Sequence, residues 1–186
     1  MRIERLDIEA VSAITPARHG DERGYFAETY SRAALAAHGI EDTFVQDNHA
    51  YSHRRGTVRG LHFQVPPHAQ AKLVRVVRGA VYDVAVDLRR GSPTYGHFVG
   101  AVLSARNGMQ LHIPAGFAHG LCTLEDDTEV LYKASDFYAP AHEGALRWDD
   151  PAVGIPWPLG GTAPTISARD AAAPLLTGFD SPFAYP

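Results

Sequence analysis

The chain carries one cysteine, Cys122, in 186 residues. An intrachain disulfide is excluded, and so is a zinc cluster built on several thiolates of one chain. Cys122 stands in an apolar stretch and reads as a buried structural thiol, which suits a reducing, cytoplasmic location. No run approaches the roughly 18 apolar residues that span a bilayer. Residues 1–14, MRIERLDIEAVSAI, alternate charged and apolar side chains and lack the apolar stretch of a secretory leader. No membrane association is expected. Charge of one sign is also scarce: 17 Lys and Arg stand against 21 Asp and Glu, for a net −4. That balance excludes the basic footprint of a nucleic-acid binder. Glycine-rich phosphate loops and dinucleotide fingerprints are missing. So are internal repeats and low-complexity linkers. With 45% hydrophobic residues, the chain can bury a core, and one domain over 1–186 is expected.

What is present is a series of short runs rich in Val, Leu, Tyr and Phe, punctuated by glycine and proline. This spacing predicts strands at 24–30, 44–51, 58–64, 71–77, 81–88, 97–104, 109–113 and 129–137. The 81–88 run sets Val84 and Val86 on one face and Asp83 and Asp87 on the other. Many short strands with turn residues between them indicate a mainly β sandwich or barrel. One early helix is expected over 32–38, capped by Ser31 and stopped by Gly39. The tail from Pro151 is expected to wrap the barrel, with a helical turn near 167–173.

Two segments carry most of the chemistry. The first is Gly56-Thr-Val-Arg-Gly-Leu-His62-Phe-Gln64, and the second is Gly108-Met-Gln-Leu-His-Ile-Pro114-Ala-Gly116-Phe-Ala-His119. Their spacing resembles the paired motifs of cupin barrels, in which two histidines on different strands point into one cavity. The resemblance implies a cupin-type double-stranded β-helix, or jelly-roll barrel, with a few short helices. Metal-binding cupins have a second histidine two residues after the first, then a glutamate. Here Gln64 takes the histidine's place, and Pro67-His68-Ala69-Gln70 offers no carboxylate. Amides are poor first-row metal ligands beside imidazole. The expectation is a barrel that keeps the fold without metal or other cofactor. A metal-dependent cupin using His62, His68 and His119 is the rival.

A histidine free of metal suits proton transfer near neutral pH. His62 reads either as a base or as a hydrogen-bonded core histidine, and Asp170 is a candidate partner that sequence cannot place. Arg59 and His62 are an odd number apart and face opposite sides of a regular strand, unless Gly60 marks a bulge. Lys72, beyond the Pro66-Pro67 turn, either stabilises an enolate from within the cavity or is a solvated strand lysine. Arg23 suits a phosphate, and Phe26 either stacks on a base or fills core. Tyr132 and Tyr138 share a face if their strand is regular, which would add a proton donor.

Several blocks together resemble the dTDP-4-dehydrorhamnose 3,5-epimerases. They include Asp-Glu-Arg-Gly-Tyr-Phe at 21–26, Gln46-Asp47-Asn48, Arg-Gly-Leu-His-Phe-Gln at 59–64, Gln70-Ala-Lys72, Pro-Ala-Gly-Phe-Ala-His-Gly at 114–120 and Ile-Ser-Ala-Arg-Asp at 166–170. The resemblance runs from about residue 2 to about residue 176. It implies epimerisation at C3 and C5 of a dTDP-linked 4-keto-6-deoxyhexose without metal or organic cofactor. Relatives that invert only one of these carbons are an alternative, as is a non-catalytic sugar-nucleotide binder. By the same resemblance His62 is the base, Asp170 its orienting partner, Tyr132 the proton donor and Lys72 the enolate-stabilising cation. Arg23, Arg59 and Arg169 hold the diphosphate and sugar. Phe26, Glu28, Gln46, Asn48, Tyr138 and Glu143 shape the nucleotide site, and His119 lines the sugar pocket. A homodimer that exchanges strands is implied, so that some of these residues serve the neighbour's site.

Overall fold

Valine-rich runs form strands because β-branched side chains pack well on a pleated surface. The computed structural model describes residues 1–185. In chain order the strands are β1 (Arg2–Arg5), β2 (Ser12–Thr15), β3 (His19–Asp21), β4 (Gly24–Phe26), β5 (Gln46–Ser52), β6 (Val58–Gln64) and β7 (Lys72–Arg78). They continue as β8 (Ala80–Asp87), β9 (Phe98–Ser104), β10 (Gln110–Ile113), β11 (Phe117–Thr123), β12 (Thr128–Ala134) and β13 (Glu143–Ala145). Two α-helices are short: α1 (Arg32–Ala36) and α2 (Ala168–Ala171). Ser31 Oγ caps α1 by accepting from Ala34 N at 3.3 Å, and Gly39 with φ of 75° turns the chain away after it. Among the described residues, no helix is long and apolar enough to cross a membrane.

The strands form a large sheet in the order β1-β2-β10-β7-β12-β5 and a smaller one in the order β13-β6-β11-β8-β9. From β5 to β8, and again from β9 to β13, each strand crosses to the other sheet. The result is the expected jelly-roll barrel. Among the described residues, β3 and β4 pair only with each other and form a separate two-stranded arm.

Burial explains the layering. Val74, Val76, Val81, Leu103, Leu111, Ile113 and Val130 fill the space between the sheets. Leu61, Phe63, Val84, Val86, Leu88 and Phe183 fill a second layer, where the C-terminal tail covers the small sheet. Each such side chain stabilises the fold by about 1.5–3 kcal/mol when fully buried. Ile14, Leu35, Ile40 and Leu73 pack α1 against the large sheet. Because the tail covers its outer face, β8 is buried on both sides, and Asp83 and Asp87 have no solvent exposure. The tail is pinned by hydrogen bonds from Val58 N to Thr165 O and from Thr165 N to Gly56 O, both 2.9 Å.

Three expectations need correction. The strand expected at 24–30 is only the short arm strand β4. The strand expected at 129–137 stops at Ala134, so strand alternation does not place Tyr138. β1, β2, β3, β11 and β13 lie outside the expected strands; in β11 all seven residues are buried, which erases the period-two pattern.

Candidate active site

Polar groups that point into a barrel need partners there, because a buried unpaired polar atom is costly. The space between the sheets holds a cavity of about 630 Å³, lined by Arg59, His62, Lys72, His119, Tyr132, Arg169 and Asp170 among others. A smaller recess of about 90 Å³ shares His62, Lys72 and Tyr132 and adds Gln46, Tyr138 and Glu143. Asn48 lines neither; it donates weakly to Tyr132 O at 3.5 Å and accepts from Gln46 Nε2 at 2.9 Å.

His62 sits on β6 and projects inward. Its Nε2 lies 2.9 Å from Asp170 Oδ1. The other carboxylate oxygen accepts from Gly60 N at 3.2 Å. Asp170 is held in turn by its place in α2, where its N–H donates to the capping Ser167 Oγ at 3.1 Å. A carboxylate accepts from the protonated ring nitrogen, so Nε2 carries the proton and Nδ1 keeps its lone pair. Burial lowers the His62 pKa below the usual histidine value, an effect that the Asp170 carboxylate partly opposes. The neutral imidazole therefore dominates at pH 7, as a base requires.

Gly60 allows this arrangement. The pairing of β6 with β11 shifts between His119↔His62 and Leu121↔Arg59, so β6 carries one extra residue. That bulge brings Arg59 and His62 to the same cavity despite their odd spacing. Gly60 has φ of 118°, and a Cβ there would lie 2.6 Å from His119 O. Only glycine fits the position.

Lys72 comes from β7 in the facing sheet, which the chain reaches by crossing over after the Pro66-Pro67 turn. Its Nζ donates to His62 O at 3.4 Å and lies 5.8 Å from the Tyr132 ring centroid. Burial lowers the ammonium pKa to about 8, while Asp83 and Glu143 pull it back up. Tyr132, on β12, also projects from the large sheet, and burial raises its phenol pKa, which keeps it protonated. The His62 imidazole and the Tyr132 hydroxyl thus enter the cavity from opposite walls.

His119 Nε2 lies 2.8 Å from Asp83 Oδ1. Sequence reasoning assigned Asp83 no role. The available signal was a carboxylate between Val81 and Ala85, on the strand face it shares with Asp87. Both motif histidines are committed to carboxylates, and His68 turns aside to Asp136 at 3.0 Å. Among the described residues, no group of three His, Cys, Asp or Glu side chains has the geometry to hold a metal ion.

At the rim, Glu143 Oε2 accepts from the Tyr138 hydroxyl and from Arg169, each at 2.8 Å. Those donors hold the Glu143 carboxyl below its usual value against the opposing effect of burial. Three expected site residues lie elsewhere. Arg23, Phe26 and Glu28 belong to the β3–β4 arm or follow it, are exposed, and do not line the cavity of their own chain. Arg23 pairs with Asp21 instead.

A half-buried histidine held by a buried aspartate, a facing tyrosine and a lowered-pKa lysine inside a jelly roll define a class: cupin-fold proteins equipped for proton transfer. The sequence profile described as dTDP-4-dehydrorhamnose 3,5-epimerase matches residues 5–178, and the chain belongs to that family. It is 50% identical over 177 residues to the dTDP-4-dehydrorhamnose 3,5-epimerase of Salmonella typhimurium, covering 95% of this chain and 96% of the relative. The enzyme of the same name from Sinorhizobium fredii is 48% identical, with 100% and 94% covered. Among solved structures, the dTDP-6-deoxy-D-glucose-3,5-epimerase of Legionella pneumophila, in complex with dTDP-4-keto-L-rhamnose, superposes with a TM-score of 0.94. It is 42% identical, with 100% and 98% of the two chains covered.

Proposed function

We propose that this chain is a dTDP-4-dehydrorhamnose 3,5-epimerase, an isomerase that inverts C3 and C5 of a dTDP-linked 4-keto-6-deoxyhexose. The observation that carries this reading is the entry of base and acid from facing sheets, with a cation between them. Both carbons are alpha to the C4 carbonyl, so their protons are acidic enough for an imidazole to remove. His62 Nδ1 takes the proton while Asp170 stabilises the imidazolium that forms. The electron pair of the broken C–H bond moves onto the carbonyl oxygen, and the Lys72 ammonium stabilises the resulting enolate. Tyr132 then delivers a proton to the same carbon from the other face, which inverts it. Protons return through solvent, and the cycle repeats at the second carbon.

Arg59 and Arg169 supply forked donors at the mouth of the cavity, suited to the diphosphate. Gln46, Tyr138 and Glu143 form the nucleotide side of the recess, Asn48 supports Gln46, and His119 holds the sugar. Neither a metal nor an organic cofactor enters these steps, and full activity is expected in excess chelator.

Arg23, Phe26 and Glu28 serve the site of a second copy, in a homodimer that exchanges the β3–β4 arm. Among the described residues the arm pairs only with itself, and it exposes Tyr25 and Phe26 by 62% and 72%. Large aromatic rings exposed next to each other suit an interface rather than open solvent. The 186 residues act as one domain, and the single free cysteine, buried at Cys122, fits work in the cytoplasm.

Solvent deuterium wash-in with the keto-sugar substrate, followed by NMR, tests the reaction. Exchange at C3 and C5 is expected. Exchange at one carbon would make the protein a mono-epimerase, and no exchange at either would end the proposal.

A further inference from the structure

β12 ends at Ala134, and the chain then leaves the sheet. The backbone of residues 136–139 loses its strand partners there, and its polar groups need others. Three glutamines supply them. Gln70 Nε2 donates to Asp136 O at 2.7 Å. Gln64 Nε2 donates to Phe137 O at 3.2 Å and to His68 O at 2.8 Å. Gln46 Oε1 accepts from Tyr138 N at 2.9 Å. Gln64 Oε1 accepts from Ala139 N at 2.8 Å. Four consecutive residues thus each have one backbone group held by a side-chain amide. The three amides come from β5, from β6 in the facing sheet, and from the loop before β7.

Gln64 is the centre of this cradle. It is 3% exposed, and it uses both its donor and acceptor ends. A primary amide offers both on separate atoms, two N–H donors and a carbonyl acceptor. The segment it holds presents Tyr138, whose ring is half exposed at the rim of the recess beside His62, Lys72 and Tyr132. Little packing fixes an exposed ring, so its location depends on its backbone and on the bond from its hydroxyl to Glu143.

We propose that Gln64 is a positioning residue: through the backbone of residues 137–139 it holds Tyr138 ready to meet the nucleotide part of the substrate. The inference rests on the epimerase reading for the identity of the ligand. A rim ordered before binding spares the ligand the entropy cost of ordering it. Loss of the cradle should therefore weaken nucleotide binding and raise KM, while the proton transfers deeper in the cavity keep their kcat.

Gln64→Glu separates positioning from simple structural support. An ionised carboxylate has the shape of the amide but cannot donate, and it would face two carbonyl oxygens. Burial and those oxygens raise its pKa above the ordinary glutamate value of about 4.3. Once protonated, it regains a donor. The measurement is calorimetric affinity for dTDP at about pH 8 and about pH 5, on either side of that titration. The variant should bind dTDP roughly tenfold more weakly than wild type at the higher pH, the cost of an unsatisfied buried group. At the lower pH the gap should close to within about threefold. Deuterium exchange at saturating substrate should keep its wild-type kcat at the higher pH.

Equal affinity at the higher pH, no recovery at the lower one, or a loss confined to kcat would each overturn the proposal. If the variant fails to fold, Gln70→Met decides: it removes the bond to Asp136 O and leaves a side chain of similar length at its place in the recess wall. Weakened dTDP binding with kcat retained supports the cradle, and unchanged binding overturns it. Wild-type protein that binds dTDP but exchanges no deuterium would sink the epimerase reading alone, leaving the affinity comparison to judge the cradle. Wild-type protein that does not bind dTDP would end both.

Discussion

His62 and Asp170 lie 108 residues apart in the chain and 2.9 Å apart in the fold. β6 supplies the imidazole, and the tail returns along the start of that strand to deliver the carboxylate on α2. The pair therefore exists only when the tail is docked, and it sets both the tautomer and the basicity of His62.

The pH profile should follow from this pair and from Lys72. The His62 pKa is lowered, so its base form persists below the usual histidine value and is lost only as pH falls further. The Lys72 ammonium is lost as pH rises through about 8. A bell-shaped kcat/KM is expected, with its acid limb below 6.5 and its alkaline limb near 8. Asp170→Asn removes a group that raises the His62 pKa, so its acid limb should move to lower pH. Its rate should fall about 10²–10⁴-fold, because basicity and tautomer control are lost. An acid limb that stays in place would show that Asp170 does not act on the base.

Tyr132→Phe should separate exchange from inversion. His62 would still remove the proton and return one to the same face, so deuterium would still enter. Inversion should fall by about 10²–10⁴-fold for want of a donor. NMR of the recovered sugar reads both outcomes, and a normal inversion rate would mean that another group donates.

Subunit mixing tests the exchanged arm. Arg23→Ala and His62→Ala chains should each be impaired as pure proteins. If the arm serves the neighbour, a mixed dimer contains one intact site, and activity should reappear on mixing after unfolding and refolding. Sites complete within one chain would recover nothing. Sedimentation of the wild-type protein as a monomer would also exclude the arrangement.

Gly60→Ala should be costly twice. The new Cβ meets His119 O at 2.6 Å and Gly120 Cα at 2.7 Å, on a backbone with φ of 118°. A loss of about 1–3 kcal/mol is expected from the overpacking, more with the backbone strain. Any shift of β6 also moves the amide that holds Asp170 Oδ2. Chemical denaturation would show the stability loss, and wash-in would show a lower exchange rate in the folded fraction. An alanine variant as stable and active as wild type would mean that the bulge has room to spare.

Much of the protein was legible in its residues alone. Alternating apolar runs between glycines and prolines determined a mainly β fold, because side-chain period follows directly from strand geometry. Two histidine motifs of fixed spacing singled out His62 and His119, the pair that shares the cavity. The early helix and the helical turn near Ser167 were legible from their capping serines, since capping is a local interaction.

The tertiary structure decided the rest, because those relationships depend on strands that cross between sheets. It paired His119 with Asp83, which sequence left as one of two acids on a strand face. It ended β12 at Ala134 and so gave Tyr138 to the glutamines rather than to strand alternation. It carried Arg23, Phe26 and Glu28 out on an arm, away from the cavity of their own chain. Above all it brought Asp170 to His62, because a contact across 108 residues is made by the path of the whole chain and by no local pattern within it.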